Sequence, residues 1–111
     1  MTIQYKNKGF SLANTNLTTV LSISTSAVAI LKSITLSNTS SGSITASLKL
    51  RDSSATTDFR FYEKVLATKT TEVVTNINLE AGDSLKAQST QANAVEGVVS
   101  YALLDRSQEN G

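Results

Sequence analysis

The chain has no cysteine, histidine, proline or tryptophan, and only 5% of its 111 residues are aromatic. Without cysteine there is no disulfide framework, no thiolate zinc site and no thiol nucleophile. Without histidine, acid–base catalysis would have to rest on paired carboxylates. The few aromatic residues are too scattered to form a base-stacking surface for nucleic acids. These absences leave packing and binding as the functions to consider.

The charges are balanced, with ten Lys and Arg against nine Asp and Glu and a net charge of +1. The two signs are interspersed, whereas a nucleic-acid-binding domain usually carries a basic stripe. We therefore expect no nucleic-acid partner. Residues 1–10 are interrupted by Gln4, Lys6, Asn7 and Lys8, and no segment approaches the ~18 apolar residues of a membrane span. We expect neither a signal peptide nor a membrane partner.

The carboxylates fall at predicted strand ends and turns, where solvated or capping roles are typical. Asp52, Ser53, Ser54 and Asp58 could offer oxygen ligands to Ca²⁺, but the spacing of an EF-hand loop is missing. The sequence therefore predicts no catalytic residues, no metal site and no cofactor, and a protein that is not an enzyme.

Strand periodicity runs through the chain. The clearest strand is 44–50, where Ile44, Ala46 and Leu48 alternate with polar residues. Residues 27–36 form a second strand, in which Lys32 interrupts the apolar parity and indicates a bulge or an exposed edge. Turn-forming residues at 37–42 predict that these two strands form a hairpin. A second hairpin is predicted for 73–79 and the strand after Gly82, which can supply the positive φ of a tight turn.

The parity of two further strands gives expectations about their faces. In one, Phe59 and Phe61 would share the inward face with Val65, while Arg60 and Tyr62 share the other. The strand at 95–104 has apolar residues on both faces, which indicates a central strand or one covered by a neighbouring subunit.

About seven or eight short strands separated by turns predict an all-β protein, a single antiparallel β-sandwich of jelly-roll or Ig-like topology. The domain would span 1–111, with an N-terminal arm or edge strand at 1–16, the sandwich at 17–104 and a C-terminal tail at 105–111. We hypothesise that neighbouring chains hold both termini. Ile3, Tyr5 and Phe10 are then the candidate anchors of the arm, and Tyr62, an aromatic residue that a binding groove could expose, is a further candidate partner contact.

Three segments carry a resemblance to a known family: 29–40, 44–50 and the Leu-Glu-Ala-Gly-Asp-Ser-Leu-Lys-Ala run at 79–87, followed by the Ala-rich loop 91–94. Over about residues 18–104 the chain resembles small virion structural proteins of tailed bacteriophages. That family includes β-sandwich proteins that decorate or cement capsids. The match is a pattern of strands and turns, and it brings no catalytic residues.

The resemblance implies a structural protein of the virion, assembled in the host cytoplasm, whose partners are the major capsid protein or other virion proteins. It also implies a homo-oligomer, a trimer or dimer around a lattice axis. Two alternatives stay open. One is a neck, tail or baseplate accessory protein of the same particle, and the other is a carbohydrate-binding, adhesin-like β-sandwich.

Overall fold

The structure, a computed structural model, describes residues 2–105, with the side chain of residue 2 excepted. Within this range the chain forms eight β-strands, and no helix is long and apolar enough to cross a membrane. The strands are β1 (Thr2–Ser11), β2 (Thr18–Ser22), β3 (Ala27–Asn38), β4 (Ile44–Asp52), β5 (Thr57–Leu66), β6 (Thr71–Leu79), β7 (Ser84–Ser89) and β8 (Val95–Asp105).

The strands form two four-stranded antiparallel sheets. Sheet A has the order β1-β8-β3-β6 and sheet B the order β2-β7-β4-β5. Strand β1 pairs with β8, β2 with β7, β3 with β6, and β4 with β5. The chain is thus one long hairpin, folded at the β4–β5 turn and rolled into two layers, which is the jelly-roll topology. The predicted β-sandwich is confirmed, and the strand order decides for the jelly roll over the Ig-like alternative.

The core lies between the sheets and consists of aliphatic side chains at alternate positions. Leu31 and Leu36 of β3, Leu48 of β4, Leu85 of β7 and Val99 of β8 are completely buried. Each such side chain stabilises the fold by about 1.5–3 kcal/mol relative to an exposed one. Strand β8 lies between β1 and β3, so the central position predicted from its two apolar faces is confirmed.

Both predicted hairpins are wrong. Strands β3 and β4 lie in different sheets, as do β6 and β7, so each of the two connections crosses from sheet A to sheet B. The chain does bend at residues 40–42 and turn at 81–82, and Gly82 has the expected positive φ of 83°. Turn composition marks where the chain reverses, but it does not determine whether the next strand pairs with the last or packs over it.

A buried polar side chain holds each crossover. The Asn38 amide donates to the carbonyl oxygens of Gly42 and Leu66, both at 2.9 Å, and of Ala67 at 3.2 Å. At the other crossover, the buried Asp83 carboxylate accepts from the backbone N–H groups of Ser53 and Glu80, both at 3.0 Å. These bonds satisfy backbone groups in the loops and at the end of β5.

Irregularities in three strands account for the remaining differences from simple alternation. The bulge predicted near Lys32 is confirmed by a register shift between Leu31 and Ser33. In β5, a register shift places Tyr62 opposite the buried Leu48 but Arg60 opposite Lys49.

The predicted faces of β5 are confirmed for Phe61, which packs against the core, and for Arg60, but they are wrong for Tyr62 and Val65, because the bulge reverses the parity between Arg60 and Tyr62. Arg60 lies on the outer face, while Tyr62 packs against the core. Val65, predicted to point inward, is opposite Thr45 and 63% exposed. In β6, Asn76 has a positive φ of 65° within the strand.

The N-terminal segment takes the edge-strand form, one of the two forms expected for it, and its contact with neighbouring chains stays a prediction. Residues 2–11 pair along their whole length with β8 of the same chain and form the edge strand of sheet A. The predicted tail at 105–111 lies outside the described residues except for Asp105.

Candidate docking face

The outer face of sheet A carries exposed apolar side chains from all four of its strands. We call this surface the docking face and define it by five exposed side chains, Ile3 and Tyr5 of β1, Ile30 of β3, Val73 of β6 and Val98 of β8, together with the partly buried Val28 and Leu104 and the buried Ala102. Tyr5 is 75% exposed and Ile3 53%. Exposed apolar side chains gathered on one face mark interaction sites more often than isolated exposed residues do.

The strand register aligns these side chains in rows across the sheet. Leu104 lies opposite Ile3 on one side and Val28 on the other. Ala102 lies in the same way between Tyr5 and Ile30. Opposite residues in an antiparallel pair project to the same face, so alternation in β8 places one apolar set in the core and a second set outside.

The docking face carries little charge. Lys32, at the β3 bulge, places its Nζ 5.1 Å from the centre of the Tyr5 ring, within the range of a cation–π contact. Glu96 lies at the other end of β8, opposite Ser11 and Ser37. A basic group therefore lies beside the most exposed aromatic ring, and the acidic group is at the far end.

The outer face of sheet B has the opposite character. Asp58 forms ion pairs with Lys86 at 3.4 Å and Arg51 at 3.7 Å. Glu63 accepts from Arg60 and from Ser47, each at 3.1 Å. These partly exposed pairs contribute little to stability, but they keep this face hydrated. Of the two outer faces, only that of sheet A is suited to an apolar partner surface.

An ion pair joins the two sheets at the open side of the sandwich. Lys64 of β5 and Glu72 of β6 lie 2.7 Å apart, between Nζ and Oε1. The hydrogen bond to Glu72 and its charge raise the pKa of Lys64.

The four candidate contacts occupy two different environments. Ile3 and Tyr5 lie on the docking face, whereas Phe10 and Tyr62 pack against the core. The hydroxyl of Tyr62 is buried without a hydrogen-bond partner among residues 2–105. Burial, followed by the charge of Glu72, raises the pKa of Tyr62. A role in binding stays a prediction for all four, and exposure favours Ile3 and Tyr5.

Sequence reasoning did not single out Ile30, Val73 and Val98 as surface residues, although each is at least 44% exposed. For Val98 a signal was present, because the last strand is apolar on both faces. For Ile30 and Val73 none was available, since an isolated strand does not show which of its faces meets the core.

The polar side chains around Asp52 form hydrogen bonds within their own loop. The Asp52 carboxylate accepts from Ser54 N–H at 3.0 Å and Ser54 Oγ at 2.7 Å, and this side-chain hydrogen bond is the main cause of its lowered pKa. Across residues 2–105 no three acidic side chains converge as metal ligands. A shallow polar groove beside β4 is lined by residues such as Thr45, Ser47 and Gln88, without an aromatic ring.

Comparison with solved structures finds the same fold in proteins of low sequence identity. A chain of the acid-stable capsid structure of Helicobacter pylori bacteriophage KHP30 matches with a TM-score of 0.55 at 14% identity, over 93% of this chain and 87% of that one. A subunit of the disulfide-linked pili that form Bacillus endospore appendages matches with a TM-score of 0.50 at 19% identity, over 92% and 86% of the two chains.

The structure of PirA also matches, with a TM-score of 0.50 at 15% identity, over 89% of this chain and 92% of that one. No protein-family model matches the sequence, and no curated protein matches it significantly. The jelly-roll fold is therefore shared with proteins of different kinds, and function has to be argued from the surface.

Proposed function

We propose that this chain is a non-catalytic structural protein of a virion, which binds the capsid lattice as a decoration or cement protein through the docking face. One observation carries the proposal: the outer face of sheet A is apolar and exposed, whereas that of sheet B is charged and internally paired. The fold shared with a chain of a phage capsid structure supports this choice of partner.

The partner we propose is the major capsid protein. The capsid surface that meets the docking face would be apolar and would have acidic groups where it lies near Lys32. An apolar contact bordered by opposite charges would bury Ile30 and Val98 while keeping the Lys32 charge paired. We also propose that the protein assembles as a trimer or dimer at a symmetry axis of the lattice, since repeated copies strengthen attachment through multivalency.

The test uses purified protein and undecorated heads assembled from the capsid protein of the same phage. Light scattering gives the oligomeric state of the protein alone, and sedimentation with the heads gives the number of copies bound per particle. Binding of hundreds of copies supports decoration. A ring of a few copies would identify a neck, tail or baseplate component instead, and absence of binding would overturn both assignments.

A matched pair of variants tests the face itself. Ile30→Thr changes an exposed apolar side chain on the docking face, and Val65→Thr makes a comparable change on the outer face of sheet B. We expect Ile30→Thr to weaken head binding about tenfold, corresponding to roughly 1.4 kcal/mol, and Val65→Thr to leave it unchanged. Equal effects of the two variants would refute docking through sheet A.

A further inference from the structure

Strand β1 offers an unpaired backbone edge. It is the terminal strand of sheet A and pairs only with β8, over its full 10 residues. Residues 5–9 are all exposed. A long edge strand with an unpaired backbone edge and exposed residues is a template for pairing with another extended segment.

The direction of the backbone groups follows from two hydrogen bonds. Leu12 N–H donates to the carbonyl of Val95 at 2.9 Å, and Val98 N–H, on the opposite side of β8, donates to Thr35 Oγ1 at 2.9 Å. Odd-numbered residues of β8 therefore face β1, and with the unbroken register even-numbered residues of β1 bond to β8. The N–H and C=O groups of residues 3, 5, 7, 9 and 11 point to the free edge.

The charge of β1 has one sign. Residues 2–11 include Lys6 and Lys8 and no acidic residue. Both lysines lie on the same side of the strand, opposite Tyr101 and Val99 of β8. Antiparallel pairing of β1 with β1 of a second copy would bring these lysines together, and like charges on adjacent strands destabilise pairing. An acidic segment would gain the opposite contribution.

We infer that the free edge of β1 binds an extended acidic segment of the partner protein as a fifth strand of sheet A. Such a segment would have carboxylates at alternate positions, facing Lys6 and Lys8. Apolar residues between them would lie beside Ile3 and Tyr5 and extend the docking face. The inference rests on the proposed function only for the identity of the partner, since the edge and its charge are properties of this chain.

The probe is a synthetic capped peptide of sequence Thr-Val-Glu-Val-Glu-Val-Thr, and its control has Lys in place of Glu. Binding is followed by amide chemical shifts and hydrogen exchange of the full chain. We expect new protection at the odd-numbered amides of β1, which β8 does not protect. Equal binding of the Lys peptide, or protection outside β1, would overturn the inference.

Asn7→Pro provides the decisive variant. Proline removes an N–H donor that points to the free edge and leaves the β8 hydrogen bonds in place, a position that an edge strand tolerates. We expect this variant to keep its urea midpoint and to bind the Glu peptide at least about tenfold more weakly, while Asn7→Thr binds normally. Undiminished binding of the Glu peptide by a folded Asn7→Pro variant would refute strand addition. A dimer of the unchanged protein that Asn7→Pro dissociates would also overturn the inference, because the free edge of β1 would then pair with a second copy of this chain.

The same variants separate this inference from the proposed function. Loss of head binding in both Ile30→Thr and Asn7→Pro supports docking and strand addition together. Loss in Ile30→Thr alone would leave docking standing and refute strand addition on the capsid. Peptide binding at β1 without head binding by the unchanged protein would refute the proposed function and support the acidic-strand site.

Discussion

Asn38→Asp replaces the buried amide nitrogen of this side chain with an oxygen. It tests whether the hydrogen bonds of Asn38 stabilise the β3–β4 crossover. The Asn38 side chain is 1% exposed, and its amide nitrogen donates to three carbonyl oxygens. Its Oδ1 accepts from Ser40 N–H at 2.9 Å, which an aspartate preserves. The substitution therefore replaces a donor facing three acceptors with an oxygen facing the same acceptors.

The magnitude follows from the two bonds of 2.9 Å, each contributing a net ~1 kcal/mol. A protonated carboxyl keeps one of them, so at pH 3.5 we expect a loss of about 1–2 kcal/mol. At neutral pH the carboxylate faces carbonyl oxygens in a buried site, which raises its folded-state pKa above the unfolded value of about 3.9. Each unit of that rise adds about 1.4 kcal/mol, and we expect a total loss of about 4 kcal/mol at pH 7.

The sign of the pH dependence is fixed by the raised pKa. Below the unfolded pKa both states of the variant hold the proton, so the added loss is absent. It grows as pH rises from the unfolded to the folded pKa, because only the unfolded state ionises freely there. Urea unfolding of the variant and the unchanged protein at pH 3.5 and pH 7 measures both quantities.

Asn14→Asp is the matched control, since exposed Asn14 uses its Oδ1 as the acceptor from Asn16 N–H at 2.9 Å. We expect it to change stability by less than about 0.5 kcal/mol. The reasoning fails if Asn38→Asp is no more destabilising than this control at pH 7, or if its effect does not shrink on acidification.

Three further substitutions test other parts of the fold. Gly97→Ala would place a Cβ 2.1 Å from a backbone carbonyl oxygen of β3, so we expect a loss of about 2–3 kcal/mol in urea unfolding. Gly42→Ala, with nothing within 4 Å of the added atom, should change little, and similar values for the two would contradict the close approach. Asp83→Ala removes the acceptor of two backbone N–H groups and should lower the free energy of unfolding by about 2–3 kcal/mol; a loss below 1 kcal/mol would count against this role. Tyr62→Phe removes a buried hydroxyl and should be neutral or stabilising. The pKa of Tyr62 is raised in the folded protein, so above about pH 10 the hydroxyl ionises more readily in the unfolded state and the free energy of unfolding falls. Tyr62→Phe has no such group and should lose less stability than the unchanged protein between pH 9 and 11.

The sequence predicted the class of fold because alternation is a local signal. The strand at 44–50 and the bulge at Lys32 could be located from a few neighbouring residues each. The sheet to which a strand belongs is a long-range property. The partner of Leu36 in β6 is Glu72, and nothing near either residue in the sequence indicates that pairing. This is why both crossovers were predicted as hairpins.

Part of the candidate site was predictable for the same reason. Ile3 and Tyr5 were identified from apolar residues in a polar segment, and the structure leaves both exposed. Phe10 has the same local pattern but packs over Gly97, where its ring would lie 2.6 Å from an added Cβ. Alternation along the unbroken β1 places Phe10 on the opposite face from Ile3 and Tyr5. Which of these two faces meets the core depends on what the opposite sheet covers, and the sequence contains no local signal for that.

The edge lysines limit one of the ways in which copies of this chain could associate with one another. Ile3, Tyr5 and Ile30 together would favour self-association through sheet A, since apolar surface is attracted to any apolar surface. Lys6 and Lys8 lie on the other face of β1, opposite Tyr101 and Val99, so they oppose a different route, the pairing of two β1 edges, because charged edge residues disfavour strand pairing between like chains. A partner with acidic groups at that edge removes the opposition and gains the same apolar burial. Selectivity at the β1 edge would therefore come from charge, while most of the affinity would come from the apolar area of the docking face.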